Sequence, residues 1–474
     1  MPVTQYLAIY FSRPSRRILL LVIVALHFLV GTYGFHSEVH SNGGVLSLSL
    51  MVNVTQFLII QLALLFLFSS SLRTETSRYS HDTAFFLRTY SEELPRWLFL
   101  TSRGTTTYVP TINLTKHLHI PKRSQLDIED RKDLILSQSV LEHLPDLKDL
   151  PGICDVEFEL TEDTYQLPWY ITENGLDRIL KRFNASEKFD YNGLTLSLQR
   201  ICIEKSAPRL TFRRSSYYSY LATNMLPEVP ISDGLTYREV LEPGPKLNSL
   251  KVAIPENHLG LSCLFVTSDH YLLIPIRSKF NNVFQGQLSP SVSGAGNIGT
   301  CYSESEGIYS PRAWLEKELQ EELPFLCNST QTIIPTDQTE RKHFLAQARY
   351  LGMSRELRRC GKPEIFFSLN LPASMLQMAN AIADDKSARE FKSSKISAYS
   401  PDFFENENYL LIKSDEIFKS LYSKSRKNRV MKTLSHPLGE VQKINEVCIS
   451  FKNKEYVLSE SLLINLIFFK LAGL

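Results

Sequence analysis

Residues 310–325 read SPRAWLEKELQEELPF, and the glycine-rich run SVSGAGNIG occupies residues 291–299 just before them. Ser310 followed by Pro311 predicts the start of a helix, because a serine oxygen caps free N–H groups and proline is tolerated at the first helical position. Pro324 ends the run, since proline disrupts a helix interior. An apolar stripe recurs every four residues and marks the face that we expect to be buried; it consists of Leu315, Leu319 and Leu323.

Three carboxylates share a different face of the same predicted helix. Glu318, Glu321 and Glu322 stand at positions i, i+3 and i+4, so their side chains project from neighbouring points. Like charges at this spacing repel one another, and unless water solvates them they require a divalent cation. Hard oxygen ligands of this kind suit Mg²⁺ or Mn²⁺. Two interpretations therefore stand, a metal site on these glutamates and a solvated acidic face.

The order Lys-Glu-Leu-x-Glu-Glu over residues 317–322 resembles the Nudix box, whose helical core reads Arg-Glu-U-x-Glu-Glu. The glycine-rich turn at 294–296 resembles the one that leads into that box. The resemblance implies an α/β fold, namely a Nudix-like α/β/α sandwich with a mixed sheet, and ligands that contain a nucleoside diphosphate. It also implies that the three glutamates hold the metal. In a hydrolase of this kind, Glu321 and Glu322 would be the catalytic residues.

The segment departs from the box at several positions. Lys317 replaces the usual arginine, Tyr309 stands where the box has its first glutamate, and Pro324 replaces the closing glycine. The loop at 299–309 is interpreted as an insertion that carries acids of its own. We expect that Glu304 or Glu306 in this loop substitutes for the missing acid.

Length and composition limit the class of protein. The 474 residues are enough for two or three domains, and the 43% hydrophobic content with 27 phenylalanines is ample for a large core. A formal net charge of +2 gives no reason to expect direct DNA or RNA binding. The seven cysteines are scattered, odd in number and never spaced as CxxC. This usage argues against a disulfide framework or a zinc site and favours a reducing compartment.

Two apolar runs near the N-terminus, at 18–35 and 45–68, predict a two-helix transmembrane hairpin over residues 1–72. Arginines flank both outer ends and none lies between the runs, so the positive-inside rule places both ends in the cytoplasm and the tip of the hairpin outside. A cleaved signal peptide is the alternative interpretation of the first run. Polar residues in the second run indicate either contacts within the hairpin or a water-lined path on oligomerisation. The C-terminal stretch at 457–474 contains about fourteen apolar-rich residues, too few to span a bilayer, and is predicted to be a core or interface helix.

The remaining chain is predicted to contain a connector and a β-rich domain. Residues 73–150 are assigned to a linker, with one or two connecting helices over 123–150. Residues 151–474 are assigned to the Nudix-like domain with a β-rich extension at its start. Leu261 to Arg277 predicts two strands joined by a turn, 361–372 and 408–414 predict further strands, and 373–391 predicts a helix.

Three arginines are candidate ligand contacts. Arg213 and Arg214 stand beside three tyrosines, and a guanidinium that binds phosphate next to rings that stack on bases suits a nucleotide. Packed tyrosines with exposed arginines are the simpler interpretation of that cluster. Arg277 ends the second predicted strand, and the Nudix resemblance implies that a basic residue there can face the phosphates.

A membrane hairpin, a linker and a degenerate Nudix-like domain together resemble the transmembrane–Nudix effectors of bacterial CBASS antiphage systems. The resemblance implies that the domain senses a cyclic nucleotide second messenger made by a functionally paired nucleotidyltransferase. It also implies a homo-oligomer on activation, a location in the bacterial inner membrane with the soluble domain in the cytoplasm, and hairpins that disrupt the membrane lipid. The alternative is a membrane-anchored, Mg²⁺-dependent Nudix hydrolase of nucleoside-diphosphate-linked substrates. A scaffold that has lost both activities is the third possibility.

Overall fold

The computed structural model describes residues 91–101, 134–172, 192–204, 207–225, 235–277, 286–328, 333–393, 406–422, 429–435 and 441–474, with shorter pieces between residues 40 and 90 and between 227 and 232. The chain divides into two compact units. The larger, called the main unit below, comprises Asp82–Leu180, Phe189–Val430 and Asn445–Leu474. The smaller comprises Met1–His81, Lys181–Lys188 and Met431–Ile444.

The described strands, in chain order, are β1 (Ser80–His81), β2 (Trp97–Thr101), β3 (Leu134–His143), β4 (Glu157–Thr164), β5 (Leu194–Glu204), β6 (Ala207–Ser216), β7 (Pro230–Ser232), β8 (Leu235–Thr236), β9 (Gly260–Val266), β10 (Tyr271–Arg277), β11 (Val292–Ala295), β12 (Tyr302–Ser303), β13 (Ile308–Tyr309), β14 (Arg349–Glu356), β15 (Lys362–Asn370), β16 (Asn406–Lys413), β17 (Arg429–Ser435), β18 (Val441–Phe451) and β19 (Lys454–Val457). The described α-helices are α1 (Trp169–Ile171), α2 (Tyr217–Thr223), α3 (Tyr237–Leu241), α4 (Ile298–Cys301), α5 (Pro311–Glu322), α6 (Phe325–Asn328), α7 (Gln338–Leu345), α8 (Met375–Ser393), α9 (Ser414–Leu421) and α10 (Glu460–Leu471).

An eight-stranded sheet forms the centre of the main unit. Its strands lie in the order β16–β10–β9–β15–β14–β3–β2, and β11 also pairs with β9. The pairing of β9 with β15 is parallel, and the other neighbours for which the register is defined run antiparallel, so the sheet is mixed. The strands predicted within 261–277, 361–372 and 408–414 all belong to this sheet, which confirms those predictions.

Alternate residues of the central strands enter two separate cores. On β9, Leu261, Cys263 and Phe265 join a core that includes residues of α5, α6, α7 and α8. Leu264 and Val266 face the other way and join a core that includes residues of α9 and α10. This alternation follows from the period of two along a strand. The main unit is therefore a mixed α/β structure with helices on both faces of its large sheet.

Helix α5 forms as its sequence predicts. The Ser310 side chain accepts a hydrogen bond from the Ala313 amide at 3.1 Å, and Pro311 occupies the first turn. The helix ends at Glu322, and the three leucines of the apolar stripe are fully buried. The C-terminal stretch forms α10, whose residues 461–469 are buried in the second core. The prediction of a core helix there is confirmed.

A smaller sheet lies beside the N-terminal half of α5. Its strands have the order β4–β6–β5. The Phe158 ring on β4 lies 6.5 Å from the ring of Trp314 on α5. Strand β5 also contacts the glycine-rich segment, because the Leu196 amide donates to the Gly296 carbonyl at 3.0 Å. The two sheets therefore enclose α5 and the glycine-rich segment that precedes it.

The predicted transmembrane hairpin is not found, and this part of the predicted fold is wrong. Residues 18–35 and most of 45–68 lie outside the described residues. Within the described part of the chain, no helix combines the length and the apolar character that crossing a bilayer requires. Such a crossing takes about 20 mostly apolar residues in one helix.

The connecting helix predicted over 123–150 is also replaced by a different structure. Residues 134–143 form β3, which pairs with β14 on one side and β2 on the other. Val140 lies opposite Trp97, and both side chains are fully buried. The apolar residues Leu134, Ile135 and Leu136 fit either a helical or a strand periodicity. The strand forms because burial between two neighbouring strands outweighs a local helical preference. This segment therefore belongs to the central sheet rather than to a linker.

Candidate functional site

The first of the predicted metal ligands, Glu318, is held by the protein itself. Its side chain is 8% exposed, and its Oε1 accepts a hydrogen bond from the Trp314 indole at 3.0 Å. The carboxyl group lies so close to Gly294 that a Cβ there would be 2.1 Å from its Cδ atom. The glycine at this position of the run is therefore explained by the close approach of a glutamate.

Glu322 is also held by the protein. It is 6% exposed, and its Oε2 accepts a hydrogen bond from the Ser293 amide at 3.1 Å. The Tyr409 hydroxyl donates to the backbone carbonyl of the same residue at 3.2 Å. Glu321 is partly exposed, and its Oε1 lies 4.0 Å from the Lys317 ammonium. These contacts fix the C-terminal turn of α5 against β11 and β16.

The three glutamates of α5 do not converge as the ligands of one metal ion must. Among the described residues, no three His, Cys, Asp or Glu side chains converge on a position that could hold a metal ion. Glu318 and Glu322 instead use carboxylate oxygens to accept protein hydrogen bonds, while Glu321 lies near a lysine. As arranged, the three glutamates do not fit one Mg²⁺ site. Binding of Mg²⁺ by this chain stays a prediction.

Arg277 lies close to this end of α5, as the last residue of β10. Its Nη1 donates to the Ser293 hydroxyl at 3.1 Å, and Ser293 in turn donates its amide to Glu322. The side chain is half-buried. The structure thus brings Arg277 and Glu322 into contact with the same serine.

Arg213 and Arg214 do not act as a pair, because successive strand residues point to opposite faces. The Arg213 guanidinium lies 4.7 Å from the centre of the Tyr165 ring, and its Nε donates to the Ser197 hydroxyl at 3.2 Å. Burial lowers the pKa of Arg213. Arg214 is exposed, with its Nη2 4.0 Å from a carboxylate oxygen of Glu162. The two arginines are therefore engaged separately, and their contact with a nucleotide stays a prediction.

A cleft of about 670 Å³ opens at the other end of α5. It lies between β4, the hairpin of β12 and β13, the first turn of α5, and α7. Its lining combines cationic, aromatic and small side chains with two carboxylates. The residues are Cys154, Val156, Glu157, Phe158, Glu306, Ile308, Tyr309, Ser310, Arg312, Thr339, Lys342, His343 and Ala346.

Two cations in the cleft share one carboxylate. The Arg312 side chain is 9% exposed, and its Nη2 donates to Glu306 Oε1. The Lys342 ammonium lies 4.0 Å from the same oxygen and donates to the Ser305 hydroxyl. Glu306 was expected to replace the missing acid beside the α5 glutamates. Its carboxylate instead contacts the two cations of the cleft. Glu304 is exposed on the same hairpin.

Half-buried aromatic rings complete the cleft. Phe158 packs edge-on against Phe212, with ring centres 4.9 Å apart. The Tyr309 ring lies 5.0 Å from the ring of Tyr302. At the position where the Nudix box has its first glutamate, this chain therefore places an aromatic ring on the wall of the cleft.

Arg312 and Lys342 were not predicted from the sequence as residues of a site. A cation in the first turn of a helix is opposed by the helix dipole, so Arg312 in the second position of α5 could have indicated an anionic partner. No sequence pattern around Lys342 indicates a site, because this residue of α7 reaches the cleft only in the folded chain. Burial raises the pKa of the Cys154 thiol, and the neighbouring Arg312 opposes that increase.

Comparisons with known proteins add little. No protein-family model and no curated protein matches the chain. Among solved structures, the protein DR0079 of Deinococcus radiodurans is similar, at 14% sequence identity and a TM-score of 0.19. The match covers 33% of this chain and 68% of that one. A likeness at this level carries no argument about fold or activity.

Proposed function

We propose that the main unit is a nucleotide-binding module that senses a cyclic nucleotide in the cleft at the N-terminal end of α5. The observation that carries this proposal is the convergence of Arg312 and Lys342 on one anionic position beside aromatic rings. Guanidinium and ammonium groups bind phosphate, and aromatic rings stack on bases. The cleft volume also lies within the range of small-molecule sites, about 300–1,000 Å³.

Binding without hydrolysis agrees best with the state of the glutamates on α5. The general base of a hydrolase must be free to reach a water or a proton of the substrate. Glu318 and Glu322 are buried and accept hydrogen bonds from protein donors, and Tyr309 replaces the first acid of the box. The proposal therefore assigns these glutamates to the architecture of the site. A partner nucleotidyltransferase as the source of the ligand, and a homo-oligomer on activation, belong to the same proposal.

A hydrolase is the second candidate, and one observation favours it. Glu318 and Glu322 both face the glycine-rich strand, and Arg277 donates to Ser293 of that strand. A movement of β11 would release Glu322 from the Ser293 amide and open space in front of the Glu318 carboxyl group. Metal-dependent release of phosphate or monophosphate from nucleoside-diphosphate substrates, abolished by Glu322→Gln, would support this candidate and overturn a sensing role without turnover.

Cysteine protection in the full chain tests the nucleotide-binding proposal. Cys154 and Cys202 are both exposed, but only Cys154 lines the cleft. The protein is labelled with N-ethylmaleimide, with and without cyclic di-AMP, cyclic di-GMP, cyclic GMP-AMP or cyclic tri-AMP, and each cysteine is quantified by peptide mass spectrometry. Cys202 is the internal control for reagent and for global unfolding.

The expected result is that one of these nucleotides protects Cys154 alone. At a free concentration of about ten times Kd, labelling of Cys154 should slow by about tenfold, because only the unbound fraction reacts. The same nucleotide should raise the melting temperature. Unchanged labelling of Cys154 and unchanged melting with every nucleotide, with and without Mg²⁺, would contradict the proposal.

A further inference from the structure

We infer that Arg312 and Lys342 form a phosphate subsite and that Glu306 is an internal anion that occupies it until ligand binds. This inference rests on the proposed nucleotide-binding function and specifies where one phosphate binds and what it displaces. The ligand class is a phosphate monoester, a phosphodiester or a pyrophosphate, all of which present anionic oxygens to a guanidinium and an ammonium.

The contacts of Glu306 support its role as an internal anion. Its carboxylate lies between the Arg312 guanidinium and the Lys342 ammonium, which belong to two different helices. Arg312 is largely withdrawn from water, so without an anionic partner its charge would be poorly solvated. Glu306 removes that penalty in the free protein. A phosphate oxygen at the same position would remove it equally well.

The segment that carries Glu306 is exposed to solvent. It is a short hairpin, in which β12 and β13 each contribute two residues. Gly307 takes a left-handed conformation, with φ of 69°, and completes the turn through a 2.8 Å hydrogen bond from its amide to the Ser303 carbonyl. The Glu306 side chain is 35% exposed, so it can exchange its cations for water when it leaves.

If phosphate must displace the Glu306 carboxylate, neutralising Glu306 should increase the affinity of the subsite for phosphate. In Glu306→Gln, the amide competes with phosphate less strongly than a carboxylate does, so the subsite should bind phosphate more tightly. Glu304→Gln is the matched control, because it removes the same charge from the same hairpin at an exposed position. A general effect of net charge would change both variants alike.

Calorimetric titration of the full-length variants with inorganic pyrophosphate measures this effect. Glu306→Gln should bind pyrophosphate at least about tenfold more tightly than the wild-type protein, since a charge-assisted hydrogen bond is lost from the competitor. Glu304→Gln should bind as the wild type does. Lys342→Gln, which removes one cation of the subsite, should bind more weakly than the wild type.

Three results separate this inference from the proposed function. Equal or weaker pyrophosphate binding by Glu306→Gln, with wild-type melting, overturns the role of Glu306. If nucleotide still protects Cys154 in that case, the proposed function stands. If neither pyrophosphate nor any cyclic nucleotide binds to the wild type, Glu306→Gln or Glu304→Gln, both the proposed function and this inference are overturned.

Discussion

The two ends of helix α5 hold charges of opposite sign in different ways. At the C-terminal end, Glu318 and Glu322 accept hydrogen bonds from an indole and a backbone amide, which are fixed parts of the fold. At the N-terminal end, Arg312 is balanced by Glu306, a partly exposed side chain on a short hairpin. A fixed donor can be replaced only by changing the core, whereas a side chain on a surface hairpin can be replaced by a ligand.

This difference shows why a helix that resembles a catalytic box need not act through its carboxylates. Glu322 accepts a hydrogen bond from β11, and Gly294 lets the same strand lie against the Glu318 carboxyl group. The open space lies at the opposite end, where cations and aromatic rings meet. In the proposed function, the same helix supplies rigidity at one end and ligand contacts at the other.

The largest effect is expected at Trp314, which connects the two ends. Its ring is fully buried near Phe158 of the cleft, and its indole donates to Glu318. Trp314→Ala should lower the free energy of unfolding by about 3–5 kcal/mol, the range for aromatic truncation in a core. Chemical denaturation measures this change. Trp314→Phe keeps most of the packing and should cost clearly less; an equal cost would assign the effect to the hydrogen bond alone.

A somewhat smaller effect is expected at the close approach of β11 and α5. In Gly294→Ala the new methyl group collides with the Glu318 carboxyl, so we expect a loss of about 1–3 kcal/mol, as for other overpacked cores. Denaturation of the double variant Gly294→Ala with Glu318→Ala checks the cause. The double variant should lose less than the sum of the single changes. Strict additivity would show that the collision is not the source of the loss.

Glu322 and Glu321 offer a matched pair of smaller effects. Glu322→Ala leaves the Ser293 amide without its carboxylate acceptor, so a loss of about 1–3 kcal/mol is expected. Glu321→Ala removes a partly exposed carboxylate that lies 4.0 Å from Lys317, and its effect should stay within about 0.5 kcal/mol. Thermal and chemical denaturation measure both. Equal losses would contradict the distinction between held and solvated carboxylates.

The sequence predicted those elements whose local signals agree. The Ser310–Pro311 start and the leucine stripe indicate α5, and two apolar runs separated by a turn within 261–277 indicate two strands of the sheet. The segment 134–143 was misassigned because its apolar residues suit a helix or a strand, and its partner β14 lies far along the chain. The described residues also lack the predicted membrane-spanning helix.

Only part of the candidate site could be predicted from the sequence. Ser293 contacts both Glu322 and Arg277, and the roles of these residues in metal or ligand binding stay predictions. The protein hydrogen-bond donors of the glutamates, Trp314 and the Ser293 amide, follow only from the folded geometry. The cleft was missed because its cations come from two helices separated by a connecting segment, and no local pattern joins Arg312 to Lys342.

The most direct test of the account is calorimetric titration with the cyclic nucleotide that protects Cys154. Two full-length proteins are compared, the variant Arg312→Met and the triple variant in which Glu318, Glu321 and Glu322 are all changed to glutamine. We predict that the triple variant keeps the wild-type Kd and that Arg312→Met weakens binding by at least about tenfold. Loss of binding in the triple variant, with wild-type affinity in a folded Arg312→Met protein, would contradict it.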